Sequence, residues 1–151
     1  MLLRTAIADI RRLVHGLRPP ALDELGLVGA VQRLAERCGT DGGLRVDVDV
    51  SGELPALPAA VEVAAYRIAV EAVTNAVRHA GASRCDVSIR LGDELVVEVA
   101  DDGVGLAADH RQGVGLASMR ERAEELGGVL SAEAVAGRGT RVRAQLPLVA
   151  Q

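Results

Sequence analysis

The sequence predicts an α+β two-layer sandwich, with a sheet on one side and helices on the other. Hydrophobic residues recur with helical period in four stretches and alternate with period two in five others, too mixed a pattern for a bundle or an all-β fold. Most of the strands follow one another across short turns, so they pair with sequence neighbours, which disfavours a doubly wound parallel sheet. Aromatic content is only 1%, so the core must be built from Val, Leu, Ile and Ala, a composition suited to tight helix-on-sheet packing.

The elements follow in order. Leu3, Ile7, Ile10, Val14 and Leu17 form an apolar seam over residues 2–17 with arginines outside it, a partner-seeking helix. Arg18-Pro19-Pro20 ends it, because the residue before proline is pushed out of the helical region and proline lacks a donor. A second helix, about Leu25 to Cys38, stops at Gly39 and the turn TDGG. LRVDVDV, residues 44–50, alternates throughout and predicts a strand with one buried and one wet face. After the loop SGELPALP, Pro58 opens a long helix running to about His79. CDVSIRL and ELVVEV form a hairpin around Gly92-Asp93. From Asp101 to Gly115 the pattern dissolves into glycines and small polar residues, and SMRERAEEL then resumes a helical period that Gly127-Gly128 closes. VLSAEAV and TRVRAQL make a final pair around AGRG.

The 151 residues suit one domain, and 49% hydrophobic content argues against disorder. A net charge of -4, without aromatics interleaved among basic residues, argues against a nucleic-acid partner. All 17 cationic side chains are Arg, a bias attributed to base composition. Cys38 and Cys85 lack metal-ligand spacing and read as small buried hydrophobes in a reducing compartment. No apolar run approaches the roughly 18 residues of a membrane span, and the first residues are not a signal peptide. The expectation is a cytoplasmic chain without membrane contact of its own, whether or not a parent protein is membrane-anchored.

Three constellations carry chemistry. Around EAVTNAVRHA, Arg67, Glu71, Thr74, Asn75 and Arg78 share one side of a helix, Val63, Tyr66, Val70, Val73 and Val77 share another, and Glu71, Asn75 and His79 fall nearly on one line. An Asn amide oxygen suits Mg²⁺, and Arg78 and His79 could reach phosphate oxygens. A solvated face is the competing reading, weakened by the apolar remainder of the helix. ADDGVGL, residues 100–106, follows a strand: its glycines free the backbone, and Asp101 presents a carboxylate acceptor that an exocyclic amine would satisfy. An ordinary Asp-Gly turn also explains it. QGVGLASMRERA, residues 112–123, places glycines before a helix start, where backbone N–H groups make an anion site. GRGT at 137–140 adds Thr140 as a hydroxyl partner or is a plain hairpin turn.

In this order, ExxTNxxRHA, DDGVGL, GxGLxSMRERAEELGG and GRGT resemble the N box and glycine boxes of the GHKL ATPase superfamily. More closely, residues 40–148 resemble the catalytic ATP-binding domain of bacterial sensor histidine kinases paired with NarL-type response regulators. IRRLVHGLRPPALDELGL, residues 10–27, is similar to the end of the second dimerisation helix and its connector. The resemblance implies a connector over 1–20, an ATP-binding domain over 21–151, and a mixed, mostly antiparallel sheet covered on one face by helices. His15 is followed by Gly16, not by the acidic residue that follows the acceptor histidine in these kinases, so the acceptor would lie outside this chain.

By position, the resemblance implies that Asn75 holds Mg²⁺ bridging the phosphates and that Asp101 accepts from the adenine amine. Gly103, Val104 and Gly105 would wrap the nucleotide; Gly113, Val114, Gly115 and Leu116 would form the lid and its phosphate contact, with Arg78 and His79 near the phosphates. Thr140 would lie near the adenine, and Glu71 would polarise the attacking group or orient water around the metal. AADHRQ, between Gly105 and Gly113, would be a short hydrophilic lid. The implied activity is transfer of the ATP γ-phosphoryl to a histidine on a dimerisation domain, with a NarL-type regulator downstream. A serine kinase of the anti-sigma-factor type and a nucleotide-binding module without kinase activity are the alternatives.

Overall fold

A computed structural model describes residues 18–41, 43–78, 81–104, 110–134 and 139–148, with only the backbone described at 41 and 110–114. The expected helix over 2–17, His15, His79 and Gly105 lie outside them.

Among the described residues the order is α1 (Pro20–Asp41), β1 (Arg45–Ser51), α2 (Ala59–Arg78), β2 (Arg84–Leu91), β3 (Glu94–Asp101), α3 (His110–Glu125), β4 (Val129–Ala134) and β5 (Thr140–Pro147). The strands form one sheet in the order β1-β2-β3-β5-β4. Only β1 and β2 run parallel, joined through α2; the other three pairs are antiparallel. The sheet is therefore mixed and mostly antiparallel, as expected.

Alternation sets the core. Cys85, Val87 and Ile89 of β2, Leu95, Val97 and Val99 of β3, and Val142, Ala144 and Leu146 of β5 are buried on one face beneath the helices. The opposite face carries exposed or half-exposed charge pairs, among them Arg141 to Glu98 at 3.1 Å and Arg84 to Asp47 at 3.5 Å. Pairs this exposed are worth little individually and keep that face wet.

Three local expectations are corrected. α1 begins at Pro20 rather than near Leu25: the Leu22 amide donates to the Pro19 carbonyl at 3.0 Å, and proline's fixed φ suits a first helical turn as well as it ends a preceding one. Gly26, at φ 71° and ψ 177°, then breaks the helix internally before it continues past Gly39 to Asp41. In β1, the alternating valines are only half-buried, because the strand lies at the sheet edge.

On α2, the core stripe is Ala64, Ala65, Ile68, Ala69, Ala72, Val73 and Ala76; of the side that carries the valines, Tyr66 and Val73 are buried, Val63 and Val70 half-buried, and Val77 is 38% exposed. Alanines let the helix axis approach the sheet closely, and that packing outranks side-chain hydrophobicity in choosing the buried face.

Candidate nucleotide-binding site

The polar strip of α2 runs up to α3. Glu71 and Asn75 are half-buried and Arg78 is exposed. Buried Gly115 faces the first two: a Cβ there would lie 2.7 Å from Glu71 Oε1 and 3.2 Å from Asn75 Nδ2. The missing side chain allows the two helices to close on this strip.

The helix start expected after Gly115 is corrected. α3 begins at His110, so the backbone at Gly113, Val114, Gly115 and Leu116 is helical rather than a loop leading into a helix. Each glycine weakens a helix by about 1 kcal/mol relative to alanine. Burial of Met119 and Ala123, the half-buried Leu116 and the Gly115 contact anchor the helix to α2 and the core, and tertiary packing overrides propensity.

A second cluster lies where β3 ends and β5 begins. Asp101 and Thr140 are ladder partners, and both continue the inward-facing alternation of their strands. Asp101 Oδ1 accepts from the Gly103 amide at 2.8 Å. Burial pushes the Asp101 carboxyl above its ordinary pKa, against the opposing pull of the Gly103 and Thr140 amides. The Thr140 hydroxyl is buried, and among the described residues it has no hydrogen-bond partner. Gly103 is buried at the turn and Val104 is 62% exposed beyond it.

Three neighbours of these residues were not assigned to the site from the sequence. Gly139 sits at φ 105°, and a Cβ on it would fall 1.9 Å from the Asp101 carbonyl oxygen, so a side chain is excluded. Cys85 flanks Asp101 on the other side of the ladder, and burial together with that carboxylate pushes its thiol up to about 12. Asp102 accepts from the Ser83 amide at 2.8 Å, the Arg84 amide at 2.9 Å and the Ser83 hydroxyl at 2.7 Å. Those donors, the Arg84 amide foremost, push its carboxyl down to about 2 and fasten the segment after α2 to the end of β3. The signal for Asp102 was the doubled aspartate of DDGVGL; for Gly139 it was the position immediately before Thr140.

The structure thus assembles Glu71, Asn75 and Gly115 into one cluster and Asp101, Gly103 and Thr140 into another, with Asp102 tying the end of α2 toward the second. A desolvated carboxylate with acceptor capacity beside a buried hydroxyl that has no partner among the described residues fits a ligand edge offering a donor and an acceptor, as an aminopurine does.

The chain belongs to the histidine kinase-, DNA gyrase B- and HSP90-like ATPase family, whose profile matches residues 60–150. It is similar to the sensor histidine kinase MctS of Rhizobium johnstonii, at 38% identity over 154 residues covering 96% of this chain and 32% of MctS. It is also similar to the sensor histidine kinase NarS of Mycobacterium tuberculosis, at 35% identity over 153 residues covering 97% of this chain and 35% of NarS. Among solved structures, the histidine kinase domain of the Erythrobacter litoralis EL346 blue-light activated histidine kinase matches with a TM-score of 0.63 and 25% identity, covering 85% of this chain and 68% of that one. The chain spans about a third of the length of the curated relatives it matches.

Proposed function

We propose that this chain is the ATP-binding catalytic part of a two-component sensor histidine kinase. It would transfer the ATP γ-phosphoryl to a histidine on a dimerisation domain outside residues 21–151. The observation that carries the nucleotide reading is the buried Thr140 hydroxyl beside the desolvated Asp101 carboxylate, at one rung of the β3–β5 ladder. Asp101 accepts from the adenine amine and Thr140 bonds the same ring edge, while Gly103, Val104 and Gly105 pass around the nucleotide.

Asn75 offers an amide oxygen to Mg²⁺, which takes most of its ligands from phosphates and water and so needs few from protein. Arg78 and His79 lie on the phosphate side, and Gly113, Val114, Gly115 and Leu116 contribute the face that closes over it. Phosphoryl transfer depends mainly on position and charge neutralisation, so Glu71 orients the attacking group or metal-bound water rather than supplying most of the rate.

Residues 1–20 are assigned to the end of a dimerisation helix and its connector, and the downstream partner to a NarL-type response regulator, on the motif resemblance. A cytoplasmic setting accords with ATP as cosubstrate; among the described residues no helix is long and apolar enough to cross a membrane.

Asn75→Ala tests the site: it abolishes the rise in melting temperature on adding Mg·ATP, and retention of a wild-type rise refutes the assignment. An acid-labile phosphoryl product on a histidine-bearing helical domain supplied in trans tests the kinase step; its absence leaves a nucleotide-binding module.

A further inference from the structure

β1 is an outer strand of the sheet, and among the described residues it pairs on its β2 side alone. In a parallel ladder, successive residues turn their main-chain groups alternately toward the neighbouring strand and away from it. The Arg45 amide donates to the Ser83 carbonyl at 3.1 Å, so Arg45, Asp47, Asp49 and Ser51 bond toward β2. Val46, Val48 and Val50 therefore turn their N–H and C=O groups to the open edge.

The edge is also shaped. α1 packs over β1, and along their junction lie two adjoining open recesses of about 470 and 420 Å³ that share Ala35, Glu36 and Val46. Val46, Val48 and Val50 are half-buried on this side, where an added strand would cover them. Asp47 and Asp49 alternate with the valines and point to the wet face of the sheet. Along the edge, Glu36, Asp47 and Asp49 stand against Arg45. Arg45 and Arg84 already meet Asp47, at 3.4 and 3.5 Å, whereas Asp49 is exposed and has no ion pair among the described residues.

The full-length antiparallel register with a second copy, centred on Val48, sets Asp47 opposite Asp49 at two places. Like charges directly opposite are destabilising, so in that register the edge disfavours itself. A strand with basic residues at those two positions turns both repulsions into attractions.

We propose that the β1 edge docks an extended segment of a separate polypeptide, alternately apolar and basic, as an added strand. Its main chain pairs with Val46, Val48 and Val50. Its apolar side chains cover those valines beside α1, and its basic side chains lie against Asp47 and Asp49. The surface contains none of the residues assigned to nucleotide, so it stands or falls apart from that reading.

The test titrates the full chain with the capped peptide Ser-Val-Arg-Val-Arg-Val-Ser, followed by nuclear magnetic resonance and calorimetry. The peptide shifts the Val46, Val48 and Val50 amides first, and a version with Glu in place of Arg binds at least about tenfold more weakly. Val48→Pro abolishes binding: the Val48 N–H turns outward, so proline is tolerated on the β2 side and removes an edge donor. Asp49→Arg weakens the basic peptide about tenfold and strengthens the Glu version. Melting temperature and circular dichroism report the fold of both variants, and Asp49→Arg decides alone if Val48→Pro unfolds. Absence of binding, equal binding of the two peptides, an Asp49→Arg affinity equal to wild type, or wild-type affinity in folded Val48→Pro each overturns the proposal. So does a wild-type dimer in sedimentation that Val48→Pro dissociates, because a second copy then occupies the edge.

Discussion

Gly115→Ala separates stability from binding, because the added methyl group meets functional side chains rather than backbone. Its Cβ would lie 2.7 Å from Glu71 Oε1, 3.2 Å from Asn75 Nδ2 and 3.5 Å from Asn75 Oδ1. Alanine gains about 1 kcal/mol over glycine inside a helix. Forcing a methyl into a closed contact costs about 1–3 kcal/mol. The Glu71 carboxylate ends a flexible side chain and can swing away, so the net destabilisation lies between zero and about 2 kcal/mol, at most about 8 °C in melting temperature.

The binding effect is larger in proportion. Moving Glu71 and Asn75 from the strip raises the Kd for Mg·ATP at least about tenfold, which is about 1.4 kcal/mol. At a ligand concentration of about 100 times the wild-type Kd, nucleotide-induced stabilisation then falls from about 2.7 to about 1.4 kcal/mol. Thermal melts with and without Mg·ATP, with calorimetry for Kd, read both terms. Gly128→Ala is the control: its Cβ would fall 2.3 Å from the Gln145 carbonyl oxygen, and it loses stability without changing the affinity of the folded fraction. If Gly115→Ala keeps the wild-type Kd, the helix contact at 115 does not shape the nucleotide site and the reasoning fails.

Two further outcomes are expected. Thr140→Val removes a buried hydroxyl with no partner among the described residues, so it raises the melting temperature of nucleotide-free protein while weakening nucleotide binding; a fall in nucleotide-free stability would place a protein partner on that hydroxyl. Asp102→Asn lowers the melting temperature near neutrality, and because the folded carboxyl is held at about 2, the difference from wild type persists above about pH 4 and closes as pH falls toward 2; a pH-independent difference would refute the amide clamp.

What the sequence made legible follows from how local each signal is. The β2–β3 hairpin was readable because alternation and a Gly92-Asp93 turn are properties of adjacent residues, and Asp101 stood out as the carboxylate ending that alternation. The placement of β5 between β3 and β4, which sets Thr140 opposite Asp101, depends on contacts across 39 positions and has no local mark. The α3 start was misread for the same reason: Gly113 and Gly115 argue against a helix until the Glu71–Asn75 surface is present to accept them. The buried face of α2 was left open by an apolar pattern that runs most of the way round the helix, and packing against the sheet selects the side rich in alanine. In each case the unreadable feature is one that needs a second element in place. The candidate site is made largely of such features: Gly115 has meaning only against α2, Gly139 only against the Asp101 carbonyl, and Asp102 only against the Ser83 and Arg84 amides. Residue types suited to binding a nucleotide can be read along a chain, but the close approaches that orient them belong to the fold.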